Sequence, residues 1–207
     1  MKHLRSFGTL LALVLTAVAL AGVGTASATE LYAGNTTVPA GTTFHITMEP
    51  GTSALASDTS LNPIDTCTTT TVHGTWTTTG SPTTTPLLAI SSLTNGGAGD
   101  PCTQATSTLT NGNMEIHHIA GTDNGTVTSS GTVVQVTVFG ISCNYGTGPG
   151  TDLGILTGKT NTSEHATVDV NAIINEQEPK KFLCPDTSRW IGSYIITSPT
   201  GLNVRGS

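Results

Sequence analysis

Basic residues are nearly missing from this sequence. No lysine or arginine occurs between Arg5 and Lys159, and residues 29–207 contain five basic residues against thirteen acidic ones. This imbalance gives residues 29–207 a net charge of −8. Proteins that bind nucleic acid neutralise phosphates with clustered lysine and arginine side chains. The charge therefore excludes a nucleic-acid-binding function, and it makes anionic lipid headgroups poor partners.

Long apolar runs are missing as well, except near the N-terminus. Residues 10–21 form an apolar run that follows two basic residues and precedes the sequence Ala26-Ser27-Ala28. A charged head, a short apolar segment and a small-x-small site are typical of a secretory signal peptide, and the run is shorter than the roughly 20 residues that span a bilayer. We predict that residues 1–28 are removed. Residues 29–207 then form a single domain without a transmembrane segment, secreted or held at the cell surface.

Charged residues make up 10% of the chain and aromatic residues 4%. Such low shares are compatible with disorder, but valine and isoleucine are frequent and fall in alternating runs. Threonine is abundant, and its β-branched side chain favours strands over helices. The composition therefore predicts an all-β globular domain.

Alternation with period two identifies the strands. In residues 166–174, small and aliphatic side chains alternate with Thr167, Asp169 and Asn171, the pattern of a strand with one buried and one solvated face. Asn111-Gly112 and Asn124-Gly125 are signals for type I′ hairpins. We predict an antiparallel β-sandwich or, alternatively, a small closed β-barrel, with about ten short strands. The sequence of residues 51–63 is compatible with one short helical turn.

Four cysteines lie in the predicted mature chain, at Cys67, Cys102, Cys143 and Cys184. An even number of cysteines in an exported chain indicates disulfides, whereas structural zinc sites need closely spaced cysteine pairs that this sequence lacks. Three connectivities are compatible with two disulfides. Sequential pairing, Cys67 with Cys102 and Cys143 with Cys184, is the simplest topology and is the one we favour.

The stretch NMEIHHIAGTDNGTVT, residues 113–128, resembles a metal or catalytic site at first sight. Neighbouring side chains of a strand point to opposite faces, so His117 and His118 cannot bind the same ion unless a bulge interrupts the strand. Glu115 and His117 share a face, but two ligands are too few for zinc. We interpret the stretch as a hairpin that reverses at Asp123-Asn124-Gly125 and predict no metal site.

Other chemical motifs are incomplete. The sequence GILTGKT is one residue too short between its glycines for a phosphate-binding loop. The isolated carboxylates Asp65, Asp100, Asp152 and Asp169 are widely spaced and single out no catalytic pair. Trp190, which alternates with Gly192, Tyr194 and Ile196, is interpreted as a core residue. We therefore predict no catalytic residues and no cofactor, and the sequence identifies no binding residues.

Five segments carry a resemblance to known proteins: IDTC, EIHHIAGTDNGTVT, ISCNYGTGPGTDLG, FLCP and SYIITSPTGLNV. They resemble a group of small, uncharacterised secreted bacterial proteins, and their layout is similar to the protein activator of alkane oxidation family. The resemblance covers residues 64–204 and is stronger in the last hundred residues. It implies a β-rich exported protein with spaced cysteines that acts in the envelope, at a cell–hydrophobe interface or in a biofilm matrix. It supplies no catalytic residues.

The leading hypothesis is a non-enzymatic, exported cell-envelope or extracellular-matrix protein that acts through its sheet surfaces. Its partners would be envelope or matrix components or further copies of the chain. The sequence does not identify its ligand. A second class is a fimbrial or fibre-type polymerising subunit or adhesin, in which residues 193–207 would serve as a terminal strand. A third class is a sugar-binding domain or a hydrolase, in which Trp76 and Trp190 would stack on sugars.

Overall fold

The computed structural model describes residues 28–58, 62–81, 83–96, 102–138 and 140–206. Residues 1–27, nearly all of the predicted signal peptide, and Asp100 lie outside these residues. The described residues form no helix, so none of them builds a helix that could cross a membrane. Within residues 51–63 the described residues form no helical turn, and Ala54–Ser57 instead forms a strand that pairs with a long strand near the C-terminus. Residues 59–61 lie outside the described part of the chain.

Sixteen strands account for most of the described chain. They are β1 (Thr29–Ala33), β2 (Thr36–Thr37), β3 (Thr43–Met48), β4 (Ala54–Ser57), β5 (Pro63–Cys67), β6 (Thr70–Thr78), β7 (Leu87–Asn95), β8 (Ala105–Thr110), β9 (Asn113–His118), β10 (Gly125–Ser130), β11 (Val133–Val138), β12 (Ile141–Gly146), β13 (Thr151–Thr157), β14 (Thr167–Glu176), β15 (Thr187–Ser198) and β16 (Leu202–Gly206).

Eight of these strands close into an antiparallel barrel in the order β3-β6-β7-β9-β10-β13-β14-β15, and β15 pairs with β3 to complete the ring. The predicted all-β fold is confirmed, and the closed barrel is the architecture that the chain adopts. The chain has more strands than the roughly ten predicted. Short strands such as β4 and β8 consist mainly of alanine, serine and threonine, and these residues give no clear apolar alternation.

The interior of the barrel follows the predicted alternation. In β3, Phe44, Ile46 and Met48 are buried, while His45 and Thr47 between them are half-buried. In β14, Val168, Ala172 and Ile174 are buried in the same way. Because successive side chains of a strand point to opposite faces, one face of each strand fills the core and the other meets solvent.

A small sheet covers one end of the barrel, which we call the base. It consists of β1, β2 and β16, with β1 in the middle. Leu31, Leu202 and Val204 from this sheet are at most 1% exposed. The backbone N–H of Val204 donates to the carbonyl oxygen of Asp123 at 3.0 Å. The base is therefore a closed, well-packed end of the core.

Beyond the other end, β14 and β15 continue past the ring and carry additional strands. The N-terminal part of β15 pairs with β4, which pairs with β5, and the C-terminal part of β14 pairs with β12, which leads on to β11 and β8. One disulfide joins Cys67 to Cys102 and the other joins Cys143 to Cys184. The sequential pairing favoured from the sequence is confirmed.

The two Asn-Gly pairs do not form two-residue hairpins. Gly112 has a positive φ of 69°, but the flanking β8 and β9 pair with other strands. Gly125 is the first residue of β10, and the chain reverses earlier, over residues 119–124, with Gly121 at a φ of 77°. The side chain of Asn124 instead accepts a hydrogen bond from the N–H of Gly158 at 3.0 Å, which holds the longer loop against the chain that follows β13.

Candidate functional site

The stretch with the two histidines is a hairpin, as predicted, because β9 pairs with β10 over its whole length. His117 and His118 have different partners. Nε2 of His117 lies 3.7 Å from a carboxylate oxygen of Glu115 on the surface, while Nε2 of His118 hydrogen-bonds the carbonyl oxygen of Thr122 at 2.8 Å. The two imidazoles therefore do not converge on a shared site.

A second pair of imidazoles was not singled out from the sequence. His45 of β3 and His73 of β6 are register partners, and their rings stack with centroids 4.1 Å apart and an interplanar angle of 15°. Nδ1 of His45 is 2.8 Å from Oγ1 of Thr197 on β15. Burial lowers the pKa of His45, and the charge of His73 lowers it further. Strand spacing alone cannot reveal this pair, since it depends on the register between β3 and β6.

Among the described residues, Asp65, Cys67 and Cys102 form a cluster whose potential metal-ligating atoms lie close together. The two sulfurs are bonded to each other, so neither is available as a thiolate ligand. The carboxylate of Asp65 is buried and accepts hydrogen bonds from the N–H of Gln104 at 2.8 Å and from the hydroxyls of Thr103 and Thr106. This carboxylate joins β5 to β8 and has a structural role.

The remaining described carboxylates from the sequence analysis also have local roles. Asp152 accepts a hydrogen bond from the N–H of Gly154 at 3.0 Å, which is a turn interaction. Asp169 accepts a hydrogen bond from the hydroxyl of Ser193 on β15 at 2.8 Å. The segment that resembled a phosphate-binding loop lies largely in β13. None of these groups faces another in the manner of an acid–base pair.

The feature with the clearest binding potential is a cavity of about 110 Å³ inside the barrel. Its wall consists mainly of aliphatic side chains from strands all around the ring. They include Ile46, Val72, Ile90, Val168, Ala172 and Ile174. The buried residues of the base, such as Leu202 and Val204, do not line it. The cavity therefore lies toward the disulfide-bonded end of the barrel.

Five hydroxyl groups belong to residues that line the cavity, and each has a protein partner. Oγ1 of Thr70 donates to Asn95, Oγ of Ser129 donates to the carbonyl of Asn113, and Oγ1 of Thr132 donates to the carbonyl of Asn111. Oγ1 of Thr147 accepts from the N–H of Thr132, and Oη of Tyr194 accepts from Trp190. The cavity therefore presents carbon atoms to a ligand, and an apolar cavity of this kind tends to remain dry.

The two tryptophans have different surroundings. Trp76 is fully buried and packs edge to face on Phe44, with ring centroids 5.1 Å apart. Trp190 is half-buried at the cavity, and its Nε1 donates to Oη of Tyr194 at 2.8 Å. Burial raises the pKa of Tyr194, although its side-chain hydrogen bonds with Trp190 and Thr70 act in the opposite direction. Trp190 points inward, as predicted, and its side chain borders the cavity.

A gap between two paired strands of the barrel wall lies beside the cavity. β13 and β14 pair as far as Gly154 and Val170 and then separate, and β14 next pairs on this side with β12, at Asn175. Leu153 and Val170 are half-buried and line the cavity beside this gap. Gly154 has a φ of 139°, and a Cβ atom there would overlap the carbonyl oxygen of Asp169. A glycine is therefore required where the two strands begin to separate.

No family model matches this chain, and no significant match was found among curated proteins or solved structures. The resemblance to the protein activator of alkane oxidation family therefore stays a prediction.

Proposed function

We propose that this chain is an exported, non-enzymatic protein that binds a small apolar molecule inside its barrel. The observation that carries the proposal is the cavity, whose lining is aliphatic and whose hydroxyl groups already have protein partners. A polar ligand would give up hydrogen bonds to water and would face mainly carbon atoms, whereas an apolar ligand only has to fill space. Burial of apolar surface provides its binding free energy.

The size of the cavity limits the ligand. An engineered apolar cavity of about 150 Å³ in another protein binds benzene, so a cavity of about 110 Å³ suits one aromatic ring or a short alkyl chain. Burial of six methylene groups at about 0.8 kcal/mol each corresponds to a dissociation constant on the order of 0.1–1 mM. Such an affinity is useful where the ligand is abundant, as it is at the surface of a hydrophobic phase.

The proposed location outside the cytosol is supported by the sequence and by the disulfides. Two disulfides are typical of proteins in oxidising compartments outside the cytosol. The signal-peptide pattern of residues 1–28 supports export. Within the expected cell-envelope or matrix role, the cavity favours action at a cell–hydrophobe interface, and it moves the binding site from the outer sheet surfaces to the interior.

The geometry gives less support to the two other classes. The segment considered as a donor strand is built into the fold, since β15 pairs with β14, β4 and β3, and β16 pairs with β1. A polymerising subunit would have to release one of these strands. The two tryptophans point toward the core or the cavity rather than forming an outer platform for sugars.

Thermal unfolding in the presence of toluene and of n-hexane tests the proposal. We expect both compounds to raise the melting temperature of the wild-type protein, because a ligand that binds the folded state alone stabilises it. The Ala172→Leu variant places three additional carbon atoms at the cavity wall and should lose the shift. Ala89→Leu is the matched control, since Ala89 is exposed on β7, and it should retain the shift.

Methyl NMR spectra of the wild-type protein provide a test that does not depend on a variant. Toluene should shift the methyl signals of Ile46 and Val168, which line the cavity, and should leave those of Leu202 at the base unchanged. The proposal is wrong if neither compound changes the melting temperature or if the shifted methyl groups lie outside the cavity.

A further inference from the structure

Two neighbouring apolar side chains project into solvent from the loop between β14 and β15. Phe182 is 100% exposed and Leu183 is 69% exposed. The other large apolar side chains that are exposed in the described chain, Leu109, Ile155 and Ile173, are not adjacent in sequence. Single exposed apolar residues are common on proteins, but a contiguous pair on a loop indicates an interaction site. We call Phe182 and Leu183 the apolar tip.

The loop holds the apolar tip in a fixed position. Cys184, directly after the tip, is bonded to Cys143 of β12, and its N–H donates to the carbonyl of Lys181 at 2.9 Å. The N–H of Lys181, directly before the tip, donates to the buried carboxylate of Glu176 at 2.7 Å. Because the backbone is fixed on both sides, the two apolar side chains stay exposed instead of folding back onto the domain.

The charges near the tip differ from those of the rest of the chain. The stretch from Glu176 to Arg189 contains three acidic and three basic residues, whereas the remainder of residues 29–207 contains ten acidic and two basic residues. Lys180 forms an ion pair with Asp186 at 3.2 Å, while the ammonium group of Lys181 has no ion-pair partner in the described part of the chain. This is the region that a phosphate-bearing surface repels least.

These features fit shallow insertion into a lipid surface. Phenylalanine and leucine can bury their side chains at the boundary between headgroups and acyl chains, and an adjacent lysine can extend its ammonium group to a lipid phosphate. The net charge of zero around the tip provides no attraction to anionic headgroups, and the net charge of −8 on residues 29–207 repels them, so headgroups without net charge are favoured. The charged residues on both sides of the tip need hydration, which a headgroup layer provides and a bare hydrocarbon surface does not.

The tip also lies near the cavity. Cys184 packs in a cluster with Val134 and Ile174, and Trp190 packs against this cluster. Val134, Ile174 and Trp190 line the cavity as well. We propose that the apolar tip docks the protein on neutral phospholipid bilayers, with the cavity end of the barrel facing the lipid. The docking itself does not depend on a cavity ligand, although transfer of a ligand between lipid and cavity would rest on the proposed function.

Flotation of the purified protein with phosphatidylcholine vesicles tests this proposal. We expect the wild-type protein to float with the vesicles and the double variant Phe182→Ser, Leu183→Ser to lose at least about tenfold in partitioning, because two apolar side chains no longer leave water. Ile155→Ser is the matched control, since Ile155 is also exposed, at 40%, but lies on β13 within the ring of the barrel. It should partition like the wild type.

Three outcomes overturn the docking proposal: a wild-type protein that does not float, equal loss in the tip variant and the Ile155 control, or binding to hexadecane droplets without binding to vesicles. The two proposals can fail separately. The tip variant should keep the toluene-induced shift in melting temperature, and Ala172→Leu should keep vesicle binding. Circular dichroism of each variant confirms that loss of binding is not loss of folding.

Discussion

The ring of Tyr194 lies back along β15 over Gly192, so that its hydroxyl oxygen accepts a hydrogen bond of 2.8 Å from Nε1 of Trp190. We expect Tyr194→Phe to lower the free energy of unfolding by about 1–3 kcal/mol, because it leaves the indole N–H without its acceptor. Urea unfolding measures the loss. The double variant Trp190→Phe, Tyr194→Phe should cost less than the sum of the single variants, and strict additivity would contradict the coupling.

A side chain at Gly154 should disrupt the point where β13 and β14 separate. We expect Gly154→Ala to lower the free energy of unfolding by at least about 2 kcal/mol, because its Cβ would overlap the carbonyl oxygen of Asp169 at a strained φ. Gly121→Ala is the control. Gly121 also has a positive φ, but a Cβ atom there would have no other atom within 4 Å. Equal losses in the two variants, measured by urea unfolding, would show that backbone strain alone is responsible.

Removal of the disulfide that anchors the apolar tip should destabilise the domain. Cys143 and Cys184 are separated by 41 positions, and closing a loop of this length in the unfolded chain corresponds to about 4 kcal/mol in the loop-entropy model. We expect the double variant Cys143→Ser, Cys184→Ser to show this loss in urea unfolding. Limited proteolysis should cut the variant near Phe182 faster than the wild type, and unchanged proteolysis would contradict the anchoring role.

The stacked histidines should make stability depend on pH. The pKa of His45 is lowered in the folded protein by burial and by the charge of His73, so the unfolded chain binds more protons below pH 6.5. The contribution of His45 to stability is therefore complete above its unfolded pKa near 6.5 and is lost as the pH falls toward its folded pKa. NMR titration should give a folded pKa below 6.5.

His73→Gln should raise the pKa of His45 but leave it below 6.5, because the effect of burial remains. His45→Gln should weaken the pH dependence of the free energy of unfolding between pH 7.5 and 5. A folded pKa of His45 at or above 6.5 would contradict both expectations.

Much of the fold could be predicted because it depends on local patterns. The alternation in β3 and β14 indicates which side chains point inward, since strand geometry fixes the period at two. The disulfide pairing followed from the preference for nearby partners. The Asn-Gly signals were misleading because tertiary contacts override turn propensity: Asn124 bonds Gly158 instead of closing a tight turn.

The candidate site could not be read from the sequence in the same way. Ala172 and Ile174 are both buried, and nothing in their alternation distinguishes a wall that borders a cavity from one that is fully packed. The volume left inside depends on how eight strands curve around it. The exposure of Phe182 could not be predicted either, because it depends on the loop that the disulfide of Cys184, two residues later, fixes.

The base of the barrel also bears on how the chain folds during synthesis. β1 emerges from the ribosome long before β16, yet the two strands pair along their whole length and together bury Leu31, Leu202 and Val204. Contacts between such distant segments form slowly, because a very long loop must close first. Until the segment that contains β16 is available, the apolar face of β1 stays uncovered, and an uncovered strand of this kind is prone to aggregation.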